Sequence, residues 1–202
     1  MIGYDNNKGI VPIACNEIFD RIAKLSNQNK SFEVTFSVLE IYNEKVQDLM
    51  VLPNNRPQGG LKVRESKTLG VYVQDLSKHP VDSYEAIEAK MEEGYRNRSI
   101  GSTQMNATSS RAHTIITIEF KQIITEDGRR NEKFSVINLV DLAGSEKAGQ
   151  TGATGDRLKE GCAINKSLTV LGQCISILAD KAIGKQKGAV VPYRDSALTR
   201  IL

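Results

Sequence analysis

Two short segments carry the residue types that phosphate chemistry needs. Asn106-Ala107-Thr108-Ser109-Ser110-Arg111-Ala112-His113 gathers two adjacent hydroxyls, a guanidinium and an imidazole. Asp141-Leu142-Ala143-Gly144-Ser145-Glu146 begins about thirty residues further on, after the apolar run Phe134 to Val140, which reads as a buried strand. A carboxylate at the C-terminal end of a strand can reach the Mg²⁺ shell of a nucleotide. A glycine three residues later lets a backbone N–H approach the γ-phosphate closely. D-x-x-G alone is a weak signal; D-L-A-G-S-E behind N-x-x-S-S-R-x-H is a specific one. The G-x-x-x-x-G-K-[ST] loop that cradles β- and γ-phosphates occurs nowhere in the sequence. Gly149 to Asp156 echoes it superficially, but Asp156 stands where the lysine is required and would repel phosphate.

The chain around these segments has 202 residues, 40% hydrophobic and 25% charged, the balance of a water-soluble globular domain. That length suffices for one sizeable core, burying roughly 70% of the unfolded surface. Net charge is 27 − 24 = +3, mildly basic: compatible with an acidic partner surface, but far short of evidence for one. Cys15, Cys162 and Cys174 are odd in number and lack C-x-x-C spacing, which points to buried free thiols in a reducing compartment. His79 and His113 are too few and too far apart in sequence to suggest a metal site. No apolar stretch approaches the ~20 residues of a membrane span, and the N-terminus has no signal-peptide pattern.

The elements that must position the two segments follow from periodicity. Ala14, Ile18, Ile22 and Leu25 predict a helix entered near Pro12. Phe32 to Val38 alternates like a half-buried strand and leads into Leu39 to Lys45, followed by a short helical turn near Val46 to Met50. Leu61 to Val63 and Val71 to Val73 read as short strands around Gly70. Asp82 with Glu85 forms a capping box for a helix with Tyr84, Ile87 and Met91 on its apolar face, stopped or kinked at Gly94. Thr114 to Ile124 and Lys133 to Val140 predict a hairpin around Asp127-Gly128. Ile164, Leu168, Leu171, Ile175 and Leu178 predict a long amphipathic helix with that stripe in the core. Pro192 starts a last helical segment.

With the motifs placed on these elements, the chain resembles a kinesin motor domain. The likeness rests on the two segments above and on three further stretches in family order. These are Leu39-Glu40-Ile41-Tyr42-Asn43-Glu44-Lys45-Val46-Gln47-Asp48-Leu49, Glu160-Gly161-Cys162-Ala163-Ile164-Asn165-Lys166-Ser167-Leu168 and Val191-Pro192-Tyr193-Arg194-Asp195-Ser196. The resemblance implies an α/β fold: a layered, three-layer α/β/α arrangement like that of P-loop NTPases, with an incomplete central sheet. It implies one domain over residues 1–202, a partial motor domain truncated at both ends. The Leu61 to Leu76 stretch is similar to the transport subgroup that carries a forkhead-associated domain after the motor.

The resemblance also assigns roles. ATP and Mg²⁺ are the implied cofactors. Asn106 would lie near the nucleotide, Ser109 would help hold the attacking water, and Ser110 would lend its hydroxyl to Mg²⁺. Asp141 would bind Mg²⁺ through water and Gly144 would meet the γ-phosphate. Arg111 and Glu146 would pair to close the two switches. Microtubules, not nucleic acid or a membrane, are the implied partner, met by Lys166, Lys181, Lys185, Lys187 and Arg194. The implied place is the cytoplasmic microtubule cytoskeleton, and the implied function is movement along microtubules coupled to ATP hydrolysis. The alternative is a truncated, non-catalytic fragment that binds microtubules or another partner. Ala112 and Ala197 depart from the family pattern, which usually has serine and lysine there. A small-GTPase reading fails, because Asn165-Lys166-Ser167-Leu168 lacks the aspartate of the guanine-reading N-K-x-D. Because the phosphate cradle is not in the sequence, the 202-residue chain by itself is expected to show no ATP turnover, with or without microtubules. Fluorescent-nucleotide titration at micromolar concentration checks this; stoichiometric ATP binding would contradict it.

Overall fold

The computed structural model describes residues 1, 3–4, 7–105, 111–126, 128–144, 156–185 and 187–202, of which 4, 100–105 and 156–164 are described by their backbone. A five-stranded sheet is built on β3 (Lys30–Tyr42). One side of β3 pairs with β8 (His113–Glu126), which pairs in turn with β9 (Arg129–Asp141). The other side pairs with β4 (Lys45–Asp48) near its end and with β7 (His79–Val81) nearer its start. Every pairing in this sheet is antiparallel. Two small hairpins lie apart: β1 (Gly3–Tyr4) with β2 (Asn7–Lys8), and β5 (Val63–Ser66) with β6 (Gly70–Val73).

Alternation along β3 separates two cores. Val34, Phe36 and Val38 face α1 (Ile10–Leu25) and α2 (Tyr84–Met105), together with Ile116 and Ile118 of β8. Leu39 and Ile41 face the opposite side with Val46, Ile115 and Leu198, against α3 (Asp156–Ala182) and α4 (Ala197–Ile201). The result is the three-layer α/β/α arrangement. The half-buried strand expected at Phe32 to Val38 is in fact covered on both faces from Phe36 onward. β9 has only β8 as a neighbour among the described strands, and it exposes Phe134, Val136 and Ile137. The described sheet is incomplete at that edge.

Several local expectations are corrected. The segment expected as a helical turn near Val46 to Met50 continues β4 as far as Asp48 and only then turns, because Asn43 and Glu44 close a two-residue hairpin, Tyr42 opposing Lys45. Both turn residues have positive φ, 49° and 60°, as this tight turn demands. In α1 the buried face is Val11 and Cys15, continued by partly buried Ile18 and Ile22, so Leu25 is left exposed. The first turn of α2 is capped by Ser83, whose Oγ accepts from the Ala86 N–H at 3.2 Å, not by an Asp82–Glu85 box. Gly94 neither stops nor ends α2. A Cβ there would lie 3.3 Å from Val38 Cγ1, so the glycine lets the helix settle onto β3. At the far end of α3, Gly184 adopts φ 79° and the Lys185 N–H reaches the Asp180 carbonyl, a Schellman stop.

Two carboxylates stitch distant segments together. Buried Asp48 accepts from the Met50 N–H, the Ser77 N–H and the Ser77 hydroxyl at 2.6–2.8 Å, so its charge is fully hydrogen-bonded. Glu44 accepts from the Ser196 hydroxyl at 3.0 Å and from the Ala197 N–H at 2.7 Å, holding the start of α4. A non-glycine residue at positive φ costs about 1 kcal/mol, and the cap contributes about the same. Glu44→Ala should lose the cap and keep the strain, whereas Glu44→Gly loses the cap and sheds the strain. Urea denaturation of a complete motor domain carrying this sequence should therefore place Glu44→Gly near wild type and both about 1 kcal/mol above Glu44→Ala.

Candidate functional site

The β8–β9 hairpin closes at Glu126 opposite Arg129, across Gly128 at φ 74°. Its register then fixes everything up to the other end, where Thr114 opposes Asp141. The serine–arginine segment enters β8 at the very edge where the D-x-x-G turn leaves β9. Antiparallel pairing thus brings the strand that begins two residues after Arg111 against the end of the strand that stops three residues before Gly144.

The row continues across the sheet. Thr114 opposes Glu40 of β3, and directly opposed residues share a face. Glu40 Oε1 accepts from Arg98 Nε of α2 at 2.7 Å, an ion pair with side chains only 14% and 16% exposed. This clamp fixes the last turns of α2, the helix that leads into the serine–arginine segment. The Tyr95 phenol, one turn earlier, has its pKa raised mainly by burial; Arg98 opposes this and Asp141 adds to it.

Of the residues singled out from sequence, Asn106, Ser109, Ser110 and Glu146 lie outside the described residues. Arg111 is half-buried at the threshold of β8. Asp141 is the last residue of β9 and is exposed, as is Gly144, while Ala143 between them is buried. An exposed carboxylate at a strand end is the hard oxygen donor that a hydrated Mg²⁺ prefers, so Asp141 fits that role. Ala112 is buried beside His113. Lys166, Lys185 and Lys187 are exposed on α3 and on the loop after it, and Lys181 is half-buried in the last turn of α3. Arg194 is exposed but pairs with Glu65 of β5 at 2.8 Å, and Ala197 packs inward.

The amphipathic stripe on α3 is displaced from the expected one. Ser167, Val170 and Cys174 are buried with Leu171 partly so, while Ile175 and Leu178 are 59% and 43% exposed. Cys15 and Cys174 are free thiols whose pKa values burial raises, Cys15 to about 11, so both are inert.

His113, expected from the sequence to pack or hydrogen-bond within its own segment, bonds to two others. It is 2% exposed, and its ring touches two other segments. Nδ1 accepts the Ala143 N–H at 2.9 Å. Since a backbone amide can only donate, Nδ1 carries no proton, and the neutral ring must hold its proton on Nε2. Nε2 therefore donates to Ser167 Oγ, 2.7 Å away. Burial pushes the imidazole pKa below the usual 6.5, with the Glu44 carboxylate pulling weakly the other way. The motif pattern gave the histidine's position, but nothing in the spacing pairs it with a serine on another helix.

Helices on both faces of a central sheet, with the start of β8 and the D-x-x-G segment meeting at one end of it, define an α/β fold of three layers. Within it, the chain belongs to the kinesin motor domain family, which matches residues 1–202. It is 52% identical to kinesin-related protein 1 of Dictyostelium discoideum, the whole chain aligning with 9% of that protein. It is 49% identical to kinesin-like protein KIF13A of Mus musculus, again over the whole chain and 12% of the relative. The structure of a KIF14 dimer in its two-heads-bound AMP-PNP state on a microtubule superposes with a TM-score of 0.85, at 40% identity over 98% of this chain and 56% of that one. A fast kinesin superposes equally well, TM-score 0.85, over all of this chain and 55% of its own. The chain thus spans a small part of these curated relatives and just over half of these motor structures.

The His113 geometry predicts a pH dependence. A folded-state pKa below 6.5 means the unfolded chain binds the proton more readily, so stability falls as pH drops below about 6.5 and on through the folded value. Protonation puts hydrogen on Nδ1 and abolishes the Ala143 bond. Melting temperature of a complete motor domain carrying this sequence should fall more steeply with acidification in wild type than in His113→Asn, and the two curves should run parallel above pH 7.

Proposed function

We propose that this chain is the switch-bearing and track-facing part of a microtubule-based motor that couples ATP binding and hydrolysis to movement along microtubules. The observation that carries this reading is the Thr114–Asp141 register, which sets the start of β8 against the end of β9 at one end of the sheet and supports a site shared by the two segments. Bound Mg·ATP would supply the scissile phosphoryl group and the charge toward which both segments close. Asp141 would hold the metal through water and Ser110 would give it a hydroxyl. Gly144 would present its N–H to the terminal phosphate, with Asn106 near the nucleotide. Ser109 would orient the attacking water, and the Arg111–Glu146 pair would latch the two segments. This division suits phosphoryl transfer, which depends on positioning and charge neutralisation more than on a protein nucleophile.

The track side of the reading rests on α3 and its following loop. Lys166, Lys185 and Lys187 are exposed, and the KIF14 structures in complex with a microtubule support a microtubule as the surface these charges face. Arg194 contributes less than an unpaired cation would, because Glu65 already neutralises part of its field. A microtubule cytoskeletal location, in the cytoplasm, follows from the same reading.

The latch gives the test. In a complete motor domain carrying this sequence, Arg111→Ala should cut microtubule-stimulated turnover more than tenfold and leave nucleotide affinity within a few-fold. Glu146→Ala should match it, and the double variant should be little worse than either. Additive losses would show that the two residues act separately.

A further inference from the structure

We propose that His113 is a positioning residue that relays the placement of the D-x-x-G turn directly to α3, through Ser167. This deepens the motor reading and rests on it.

Three segments meet on one imidazole. His113 itself ends the serine–arginine segment and opens β8, opposite Ile41 on the α3 side of the sheet. Its Nδ1 fixes the Ala143 amide, the peptide unit next to Gly144. Its Nε2 reaches Ser167, a buried residue one position after Lys166 on the outward face of α3. Each bond demands a different ring nitrogen, so the two bonds select one tautomer. The ring cannot follow the turn without pulling on Ser167, nor follow α3 without pulling on Ala143. Both contacts are buried, where hydrogen bonds are not easily exchanged for water. A movement of the turn around the γ-phosphate is thereby delivered to the helix that faces the track, without passing through residues 145–155.

The imidazole can be divided. Asparagine at 113 places an amide oxygen near the Nδ1 position but falls short of Ser167. Ser167→Ala removes the helix contact and leaves the ring. The experiment uses a complete kinesin motor domain carrying this sequence and reads two quantities: hydrogen exchange of the Ala143 amide, and basal and microtubule-stimulated ATP turnover. Ser167→Ala alters no residue proposed to meet the nucleotide and reaches Ala143 only through the His113 ring. Under the proposal it should speed Ala143 exchange roughly three- to tenfold, because the ring loses its anchor. It should leave basal turnover unchanged and reduce microtubule stimulation by a similar factor. Ser167→Thr, which keeps the hydroxyl, should restore both. His113→Asn should retain most of the Ala143 protection and yet lose stimulation as Ser167→Ala does.

Unchanged Ala143 exchange in Ser167→Ala would overturn the relay, whatever the kinetics. Faster exchange with full stimulation would overturn it as well, leaving a bond that transmits nothing. A wild-type motor that hydrolyses no ATP would instead sink the motor reading, while the exchange measurement would still decide whether the ring links turn and helix.

Discussion

The register of one hairpin governs this site. Once Glu126 opposes Arg129, each later pair follows, and Thr114 must meet Asp141. A slip of one residue would turn every side chain of β9 to the other face of the sheet. It would also separate the serine–arginine segment from the D-x-x-G turn. The site is thus aligned from its far end, by a turn more than ten residues away from any group that does chemistry. β8 is held in place on its other side by β3, whose own alternation sorts the helices into two layers.

That sorting gives the two faces different tasks. On one, the Arg98–Glu40 clamp lies in the same row as Thr114 and Asp141, so α2 and the nucleotide edge share a fixed frame. On the other, His113 looks toward α3 and ties it to the same turn. The first face ties α2 to the row that ends at Asp141. The second connects Ala143 to a helix whose exposed side carries Lys166. Adjacent residues of β8, pointing oppositely, serve both.

Much of this was legible in the sequence, because the signals were local. Asp127-Gly128 between two apolar runs announced the β8–β9 hairpin, and the glycine takes the positive φ it was read for. The β3–β4 hairpin was missed for a related reason. Asn43-Glu44 lacks the glycine that marks such turns, and the conformation is held by what Glu44 caps on a helix far along the chain. The α3 stripe was placed one position off because periodicity weighs large apolar residues, while the side chains turned inward include Ser167 and Cys174. Asp82 and Ser83 are both capping residues, and only the geometry of the helix start decides that the serine reaches Ala86. The His113–Ser167 contact joins residues of ordinary types across 54 positions, so no local pattern could announce it.

The Glu44 cap also orders events in time. α4 begins at Ala197. Its first free amide is satisfied by a carboxylate 153 residues earlier. During synthesis the β3–β4 turn leaves the ribosome about 8–30 s before Ala197 does, at the usual 5–20 residues per second. Through that interval Glu44 has neither of its donors, and the turn keeps its strained backbone without the contact that compensates for it. The hairpin and the start of α4 therefore mature together: the turn is made first and finished only when Ser196 and Ala197 arrive.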